Sequence, residues 1–128
     1  MAEIFESETI NAENVAAFDF HDRYFKFCNF EKLSFEPWLV DSDFHTCHFG
    51  NVDDYWGFFN TCTLIQCRFT NCVFRGTAFS ACLFVQCTFA NCQFLKDNMG
   101  GECQFESTIA YDCVVENTVG FAAMTRQP

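Results

Sequence analysis

The sequence predicts an all-β chain wound into a right-handed quadrilateral β-helix, and three observations lead to this fold class. An apolar residue, most often Phe, recurs at every fifth position through most of the chain. A small residue, most often Cys, precedes many of these apolar residues by two positions. The chain contains 19 Phe but only 2 Trp and 3 Tyr, so the repeat selects Phe itself rather than aromatic residues in general.

The five-residue repeat falls into one main register and one earlier register. The main register holds a single polar residue, Asp54, and its members are Leu39, Phe44, Phe49, Asp54, Phe59, Leu64, Phe69, Phe74, Phe79, Phe84, Phe89, Phe94 and Met99. The earlier register consists of Ile10, Val15, Phe20, Phe25, Phe30 and Phe35. The small residues two positions before the apolar ones include Cys28, Cys62, Cys67, Cys72, Thr77, Cys82, Cys87 and Cys92.

A period of five matches neither the 3.6-residue period of a helix nor the two-residue period of a strand. It suits a coil in which five residues form one side of a square, with the Phe and the small residue pointing inward. A single coil cannot bury its Phe residues, but stacked coils can. We therefore expect about five to six coils, in a rod about 26 Å long at the ~4.8 Å spacing of stacked strands. Residues twenty apart should lie above one another.

The repeat is interrupted twice, and it fades after Gly120. The step is one residue short at Glu36–Trp38 and one residue long at Gly100–Gly101, after which Phe105 resumes the pattern. We expect one domain over residues 1–128, with an irregular segment at 36–58 in which residues 52–56 bulge out as a loop. The apolar tail, residues 119–128, is expected to cap the open end or to form a homodimer through it.

The stretch from Cys67 to Phe79, CRFTNCVFRGTAF, resembles the pentapeptide-repeat family, in which a small residue, then Leu or Phe, then two variable residues recur. The resemblance covers roughly residues 10–118 and implies the β-helix fold. It also implies a non-enzymatic role, because no catalytic motif belongs to the family pattern. Its best understood members resemble bacterial quinolone-resistance proteins, which are taken to bind type II topoisomerases by imitating DNA.

The net charge of −10 is unevenly distributed along the chain. Residues 1–59 carry 12 acidic and 3 basic residues, whereas residues 60–128 carry 5 and 4. An acidic chain repels nucleic acid and attracts basic protein surfaces, so we expect a protein partner and no direct nucleic-acid partner. The N-terminal residues do not resemble a secretory signal and no apolar run is long enough to span a membrane, so we expect a cytoplasmic protein without a membrane partner.

The ten Cys residues are expected to be reduced core fillers rather than zinc ligands or disulfides. Zinc sites favour Cys pairs two to four residues apart, whereas these Cys residues lie on successive walls. His45 and His48 flank inward positions and fall on the outside, as a solvated surface or, alternatively, as a metal site with Asp43. No catalytic group of residues can be assembled, and we expect neither a cofactor nor a metal.

Two outward surfaces are candidate protein interfaces. The first combines aromatic and acidic residues near the interrupted part of the repeat: Trp38, Asp41, Asp43, Asp53, Asp54, Tyr55, Trp56 and Phe58. The second is a flat apolar wall formed by Ile65, Leu83 and Val85. Two functions fit such surfaces: a DNA-mimicking binder of type II topoisomerase (gyrase), or an immunity protein that neutralises a cognate bacterial toxin.

Overall fold

The computed structural model describes residues 3–34 and 38–126, which form a β-solenoid of very short parallel strands. In chain order the strands are β1 (Glu3–Glu6), β2 (Thr9–Asn11), β3 (Arg23–Lys26), β4 (Asn29–Glu31), β5 (Leu39–Val40), β6 (Asp43–His45), β7 (His48–Gly50), β8 (Asp53–Tyr55), β9 (Phe58–Asn60) and β10 (Thr63–Ile65). The chain continues with β11 (Arg68–Thr70), β12 (Val73–Arg75), β13 (Ala78–Ser80), β14 (Leu83–Val85), β15 (Thr88–Ala90), β16 (Gln93–Leu95), β17 (Gln104–Glu106), β18 (Ile109–Tyr111), β19 (Val114–Glu116) and β20 (Met124–Arg126). A short 3-10 helix, Val15–Ala17, lies between β2 and β3.

The strands of the described residues form four parallel sheets, which are the four walls of the solenoid. Wall 1 contains β1, β3, β6, β10, β14, β18 and β20, and wall 2 contains β2, β4, β7, β11, β15 and β19. Wall 3 contains β8, β12 and β16, and wall 4 contains β5, β9, β13 and β17. The chain passes through the walls in this order, so wall 1 lies opposite wall 3 and wall 2 lies opposite wall 4.

The right-handed quadrilateral β-helix is thereby confirmed, although about four coils are four-sided rather than the expected five to six. The difference arises at the ends of the described chain. In the first coil the 3-10 helix occupies the place of a wall 3 strand, and Val15 and Phe18 pack against the core instead. At the other end, only wall 1 and wall 2 continue as strands beyond β17.

Phe rings fill the interior in continuous columns. On wall 2, Phe30, Phe49, Phe69 and Phe89 stack with centroid separations of 4.6, 4.5 and 4.7 Å. Every Phe of the main register is buried, as predicted: Phe44, Phe49, Phe59, Phe69, Phe74, Phe79, Phe84, Phe89 and Phe94. Rings of adjacent walls meet edge to face, a favourable arrangement of aromatic quadrupoles.

The ten Cys residues are free thiols, and eight of them are buried. Their sulfur atoms donate hydrogen bonds to backbone carbonyls of the coil below, as Cys72 does to Phe49 O at 3.2 Å and Cys82 to Phe59 O at 3.2 Å. Burial raises the pKa of the Cys103 thiol. The thiols are small, mostly buried and already engaged in hydrogen bonds with the neighbouring coil, so these residues act as core fillers.

The segment from residue 52 to residue 56 does not bulge, and this part of the sequence prediction is wrong. Strand β8 pairs in register with β12, and Asp54 occupies the inward position below Phe74 with no exposed surface. Its carboxylate accepts hydrogen bonds from Thr77 Oγ1 at 2.8 Å, the Gly57 amide at 3.0 Å and Ser34 Oγ at 3.4 Å. These donors replace water around the buried carboxylate, so the strand need not leave the wall.

The segment 36–58 is also more regular than predicted over its described part. Strands β5 to β9 follow one another with the same spacing as the later strands, and each pairs with the coil above. The slip predicted at Glu36–Trp38 lies mostly outside the described residues, because only Trp38 of these three is described.

The second interruption is a loop of residues 96–103 rather than a one-residue slip at Gly100–Gly101. Met99, predicted to point inward, is 85% exposed at this loop. Asp97 accepts hydrogen bonds from the amides of Met99 and Gly101, both at 2.8 Å, which closes the loop outside the wall. Above it the stacking offset is 26 residues instead of 20, so Phe105 pairs with Phe79.

Replacement of a column ring tests this core. We expect Phe84→Ala to lower the free energy of unfolding by about 3–5 kcal/mol, because a buried ring leaves a cavity that stacked strands cannot close. Arg68→Ala is the control, since Arg68 is exposed on wall 2, and we expect a change below about 0.5 kcal/mol. Urea unfolding followed by circular dichroism measures both. Equal losses would contradict the assignment of inward and outward positions.

The hydrogen bond from Thr77 to Asp54 allows a second test. We expect Thr77→Val to cost about 1–3 kcal/mol, because a buried acceptor loses its shortest donor. The cost should fall sharply in an Asp54→Leu background, where there is no carboxylate to satisfy. Thr88→Val, on the outer surface of wall 2, is the matched control. An unchanged cost in both backgrounds would show that Thr77 acts independently of Asp54.

Candidate functional site

The predicted interface residues do not form one surface. Trp38 and Phe58 lie on wall 4, Tyr55 and Asp53 on wall 3, and Trp56 in the turn between these walls. Asp43 lies on wall 1, the opposite wall from Asp53, and Asp41 lies in the turn that precedes it. Asp54 is buried in the core and is therefore not an interface residue. The predicted set thus divides into two surfaces.

The aromatic corner, defined as Trp38, Asp53, Tyr55, Trp56 and Phe58 together with Arg75 and Asp97, follows the edge between walls 3 and 4. Trp38 and Phe58 meet edge to face at 5.3 Å, and Tyr55 and Trp56 do so at 5.2 Å. Trp38, Tyr55 and Trp56 are each between 41% and 57% exposed. Exposed aromatic side chains held in place by neighbours are favoured anchors of protein interfaces.

Two charged residues complete the aromatic corner. Arg75 forms an ion pair with Asp53, and its guanidinium lies 5.4 Å from the centre of the Tyr55 ring. Asp97 accepts a hydrogen bond of 2.8 Å from the Trp56 indole nitrogen. Backbone hydrogen bonds from Gly101, the indole bond from Trp56 and a further bond from Met99 lower the pKa of the Asp97 carboxyl, which is therefore anionic at neutral pH.

Arg75 and Asp97 were not among the predicted site residues, and the sequence contains only a weak signal for each. Arg75 lies twenty residues above Tyr55, so the stacking rule alone brings the two side chains together. Asp97 lies 41 residues from Trp56 in a loop whose course the repeat does not determine. The single hint was the extra residue between Phe94 and Phe105 beside a Gly–Gly pair.

The second candidate surface lies on wall 1, and the C-terminal half of this wall is apolar. Ile65 and Val85 pair directly, as predicted, and Leu83 lies beside them with 37% exposure. Three more residues extend the same surface upward: Ile109, Tyr111 and Met124. The twenty-residue stacking rule does not predict these contacts, because the 96–103 loop shifts the stacking offset to 26 residues.

A group of three carboxylates, Asp22, Asp41 and Asp43, lies on and beside the N-terminal part of wall 1. Burial raises the pKa of the Asp43 carboxyl, and the charges of Asp22 and Asp41 raise it further. Such mutual repulsion is relieved by a nearby cation, so this part of the wall favours a basic partner surface.

The two central His residues lie on the outside of the solenoid, as the sequence predicts. His48 bridges two coils of wall 2, with Nδ1 3.2 Å from Asn29 Oδ1 and Nε2 2.8 Å from Thr70 Oγ1. His45 contacts Thr46 Oγ1 at 3.1 Å. Among the described residues, no group of three His, Cys, Asp or Glu side chains could hold a metal ion. These contacts give His48 a structural role between stacked strands.

The open C-terminal end is partly capped by the tail. Phe121 packs against the rings of Phe84, Phe89, Phe94 and Phe105, and β20 extends wall 1. Val115 continues the inward column of Phe89 but remains 43% exposed. Neighbouring Val114 and Val119 are 50% and 55% exposed. The cap therefore leaves an apolar rim.

No helix in the described part of the chain is long and apolar enough to cross a membrane. No protein-family model matches the sequence, and no curated protein matches it.

The chain is, however, similar to solved structures. One is a trypsin-treated variant of QnrB1, a plasmid-mediated fluoroquinolone resistance protein, with a TM-score of 0.53 and 16% identity over 91% of this chain. The match covers 53% of that QnrB1 chain, so this protein spans about half its length. Another is Rfr23, a pentapeptide repeat protein from the cyanobacterium Cyanothece 51142, with a TM-score of 0.43, 9% identity, and coverage of 94% of this chain and 86% of Rfr23. The protein has the pentapeptide-repeat fold, in agreement with the resemblance seen in its sequence.

Proposed function

We propose that this protein is a non-enzymatic binding module that protects or inhibits a partner protein by occupying its working surface, and that the partner is a type II topoisomerase such as gyrase. The observation that carries this proposal is the combination of a QnrB1-like fold with an acidic N-terminal half. QnrB1 is a fluoroquinolone resistance protein. The resemblance stated from the sequence implies that such proteins act by imitating DNA.

Charge and shape support a DNA-like role for part of the surface. Except for the buried Asp54, the described acidic residues of the N-terminal half lie on the outside of a rigid rod, where they can replace DNA phosphates on a basic protein surface. Seven strands of wall 1 at ~4.8 Å spacing give a rod of about 29 Å, somewhat less than one ~34 Å turn of DNA. A single chain would therefore imitate less than one turn.

A homodimer through the C-terminal end would overcome this limit. The apolar rim of Val114, Val115 and Val119 is a surface that association would bury, and two rods joined there would double the length. The N-terminal acidic halves would then lie at the two outer ends of the dimer.

We further propose a cytoplasmic location. Ten free thiols, of which eight are buried among Phe rings, suit a reducing compartment in which no disulfide forms. This location agrees with a topoisomerase partner.

An immunity protein that neutralises a cognate toxin is the alternative function. It is favoured by the aromatic corner, because a DNA mimic needs carboxylates rather than exposed Trp and Tyr side chains. It is also favoured by residues 60–95, which contain no acidic residue and interrupt any continuous imitation of DNA phosphates.

Binding to purified gyrase tests the topoisomerase proposal. We expect binding that linear duplex DNA competes away, and protection of gyrase supercoiling activity from a fluoroquinolone. Asp41→Asn with Asp43→Asn should raise the dissociation constant about tenfold and reduce its salt dependence, because two carboxylates of the acidic wall are neutralised. Arg68→Ala is the control and should bind at least as well as the original protein. Binding that DNA does not affect would contradict mimicry, and absence of binding would leave toxin neutralisation as the function to test by coexpression with a cognate toxin.

A further inference from the structure

The aromatic corner already contains one guanidinium bound between a ring and a carboxylate. The guanidinium of Arg75 lies over the ring of Tyr55 at 5.4 Å and forms an ion pair with Asp53. Both interactions favour arginine, whose planar cation stacks on aromatic faces while it donates hydrogen bonds to carboxylate oxygens. This occupied pair shows what the neighbouring pair of Trp56 and Asp97 is suited to bind.

Trp56 and Asp97 present the same two groups but have no cation of their own in the described chain. The Trp56 side chain is about half exposed, and its indole nitrogen is fixed by Asp97. Asp97 forms no ion pair with any described Lys, Arg or His, and the adjacent Lys96 instead lies 4.0 Å from Glu102. A ring face and an anionic carboxylate thus remain available side by side.

The carboxylate is held rigidly, which lowers the entropic cost of binding. One carboxylate oxygen of Asp97 accepts hydrogen bonds from the amides of Met99 and Gly101, and the other accepts a hydrogen bond from the Trp56 indole. The carboxylate rests over Gly76, where an added β-carbon would lie 2.6 Å from it. Gly76 also has a φ of +61°, in the left-handed region that glycine adopts without strain. The fold therefore positions Asp97 before any partner arrives.

The surrounding surface extends the site beyond one ring. Phe58 follows Trp56 by two residues and meets the Trp38 ring edge to face, so the same corner presents further aromatic surface. On wall 4 the residue above Phe58 is the small Ala78. An alkyl chain that ends in a cation fits this surface better than a phosphate, which Asp97 would repel.

We propose that Trp56 and Asp97 receive an arginine side chain of the partner protein, with its guanidinium stacked on the indole and hydrogen bonded to the Asp97 carboxylate. Arginine is favoured over lysine because the planar fork satisfies the ring and the carboxylate together, whereas an ammonium is a strongly hydrated point charge. This inference rests on the proposed protein-binding function and names the partner chemistry recognised at the aromatic corner.

Nuclear magnetic resonance of the two indole N–H groups tests the proposal without any partner protein. Trp38 and Trp56 are the only Trp residues, so Trp38→Phe assigns the Trp56 resonance. The probes are N-acetyl-arginine methylamide and N-acetyl-lysine methylamide. We expect a saturable shift of the Trp56 resonance with the arginine probe, and roughly fivefold weaker binding of the lysine probe.

Matched variants of the loop separate the proposed site from general attraction to an acidic protein. Asp97→Asn keeps an acceptor for the loop amides but removes both the charge and the oxygen that accepts the Trp56 indole, and we expect at least roughly fivefold weaker binding of the arginine probe. Glu102→Gln removes one charge from the same loop and should leave binding nearly unchanged. Backbone amide spectra verify that each variant keeps the original fold. Equal binding of the two probes, or equal losses in the two variants, would overturn the proposal.

The outcome is separable from that of the gyrase experiment. Arginine binding by a protein that ignores gyrase would reject the topoisomerase proposal and keep the arginine site. Gyrase binding by a protein whose Trp56 resonance does not respond to the arginine probe would reject the arginine site alone.

Discussion

The stacking of Phe rings is the interaction on which the rest of this structure depends. Successive rings of one column lie 4.5–4.7 Å apart on wall 2, close to the ~4.8 Å spacing of hydrogen-bonded strands. Because the ring spacing matches the strand spacing, the same repeat allows both backbone hydrogen bonding between coils and close packing of the rings in the core. The coil geometry introduces backbone strain at the corners, where residues as large as Trp56 and Gln66 adopt a positive φ. Burial of a ring on every side of the coil offsets that strain.

At Asp54 a carboxylate takes the place of a Phe ring in the wall 3 column. A carboxylate fits below Phe74 because three neighbouring positions also depart from the common pattern. Thr77 replaces the usual Cys and donates a hydrogen bond, Ser34 donates from the coil below, and Gly57 brings its amide within 3.0 Å. A β-carbon at Gly57 would lie 2.1 Å from the carboxylate oxygen, so the glycine and the aspartate require each other. The buried polar group is thus a matched set of residues rather than an isolated defect.

Features that depend on interactions between residues close in the chain could be predicted from the sequence. Features that depend on interactions between distant residues could not. Inward and outward positions are local properties of a five-residue unit, and therefore Phe44 to Phe94 and the Ile65–Val85 pair were correctly placed. The polar residue at position 54 was interpreted as a bulge because two of its three donors, Ser34 and Thr77, belong to other coils. The path of the 96–103 loop depends on Asp97 bonds to Trp56, and no periodicity encodes them. Asp43 and Asp53 are ten residues apart and lie on opposite walls, so proximity in sequence misled the prediction of one interface.

The solenoid separates stability from recognition, and this separation explains where function can reside. Stability comes from inward side chains whose identity hardly varies, so outward positions are free to carry charge or aromatic groups without cost to the core. The protein uses this freedom unevenly: acidic residues concentrate in the N-terminal coils, and apolar ones occupy the upper half of wall 1. At the aromatic corner the 96–103 loop adds a contact that the repeat alone cannot make, because it places Asp97 against Trp56, which lies in a turn two coils below. The rigid walls hold the aromatic side chains in place, and the inserted 96–103 loop holds Asp97 against them. The result is a preorganised surface that needs no cavity.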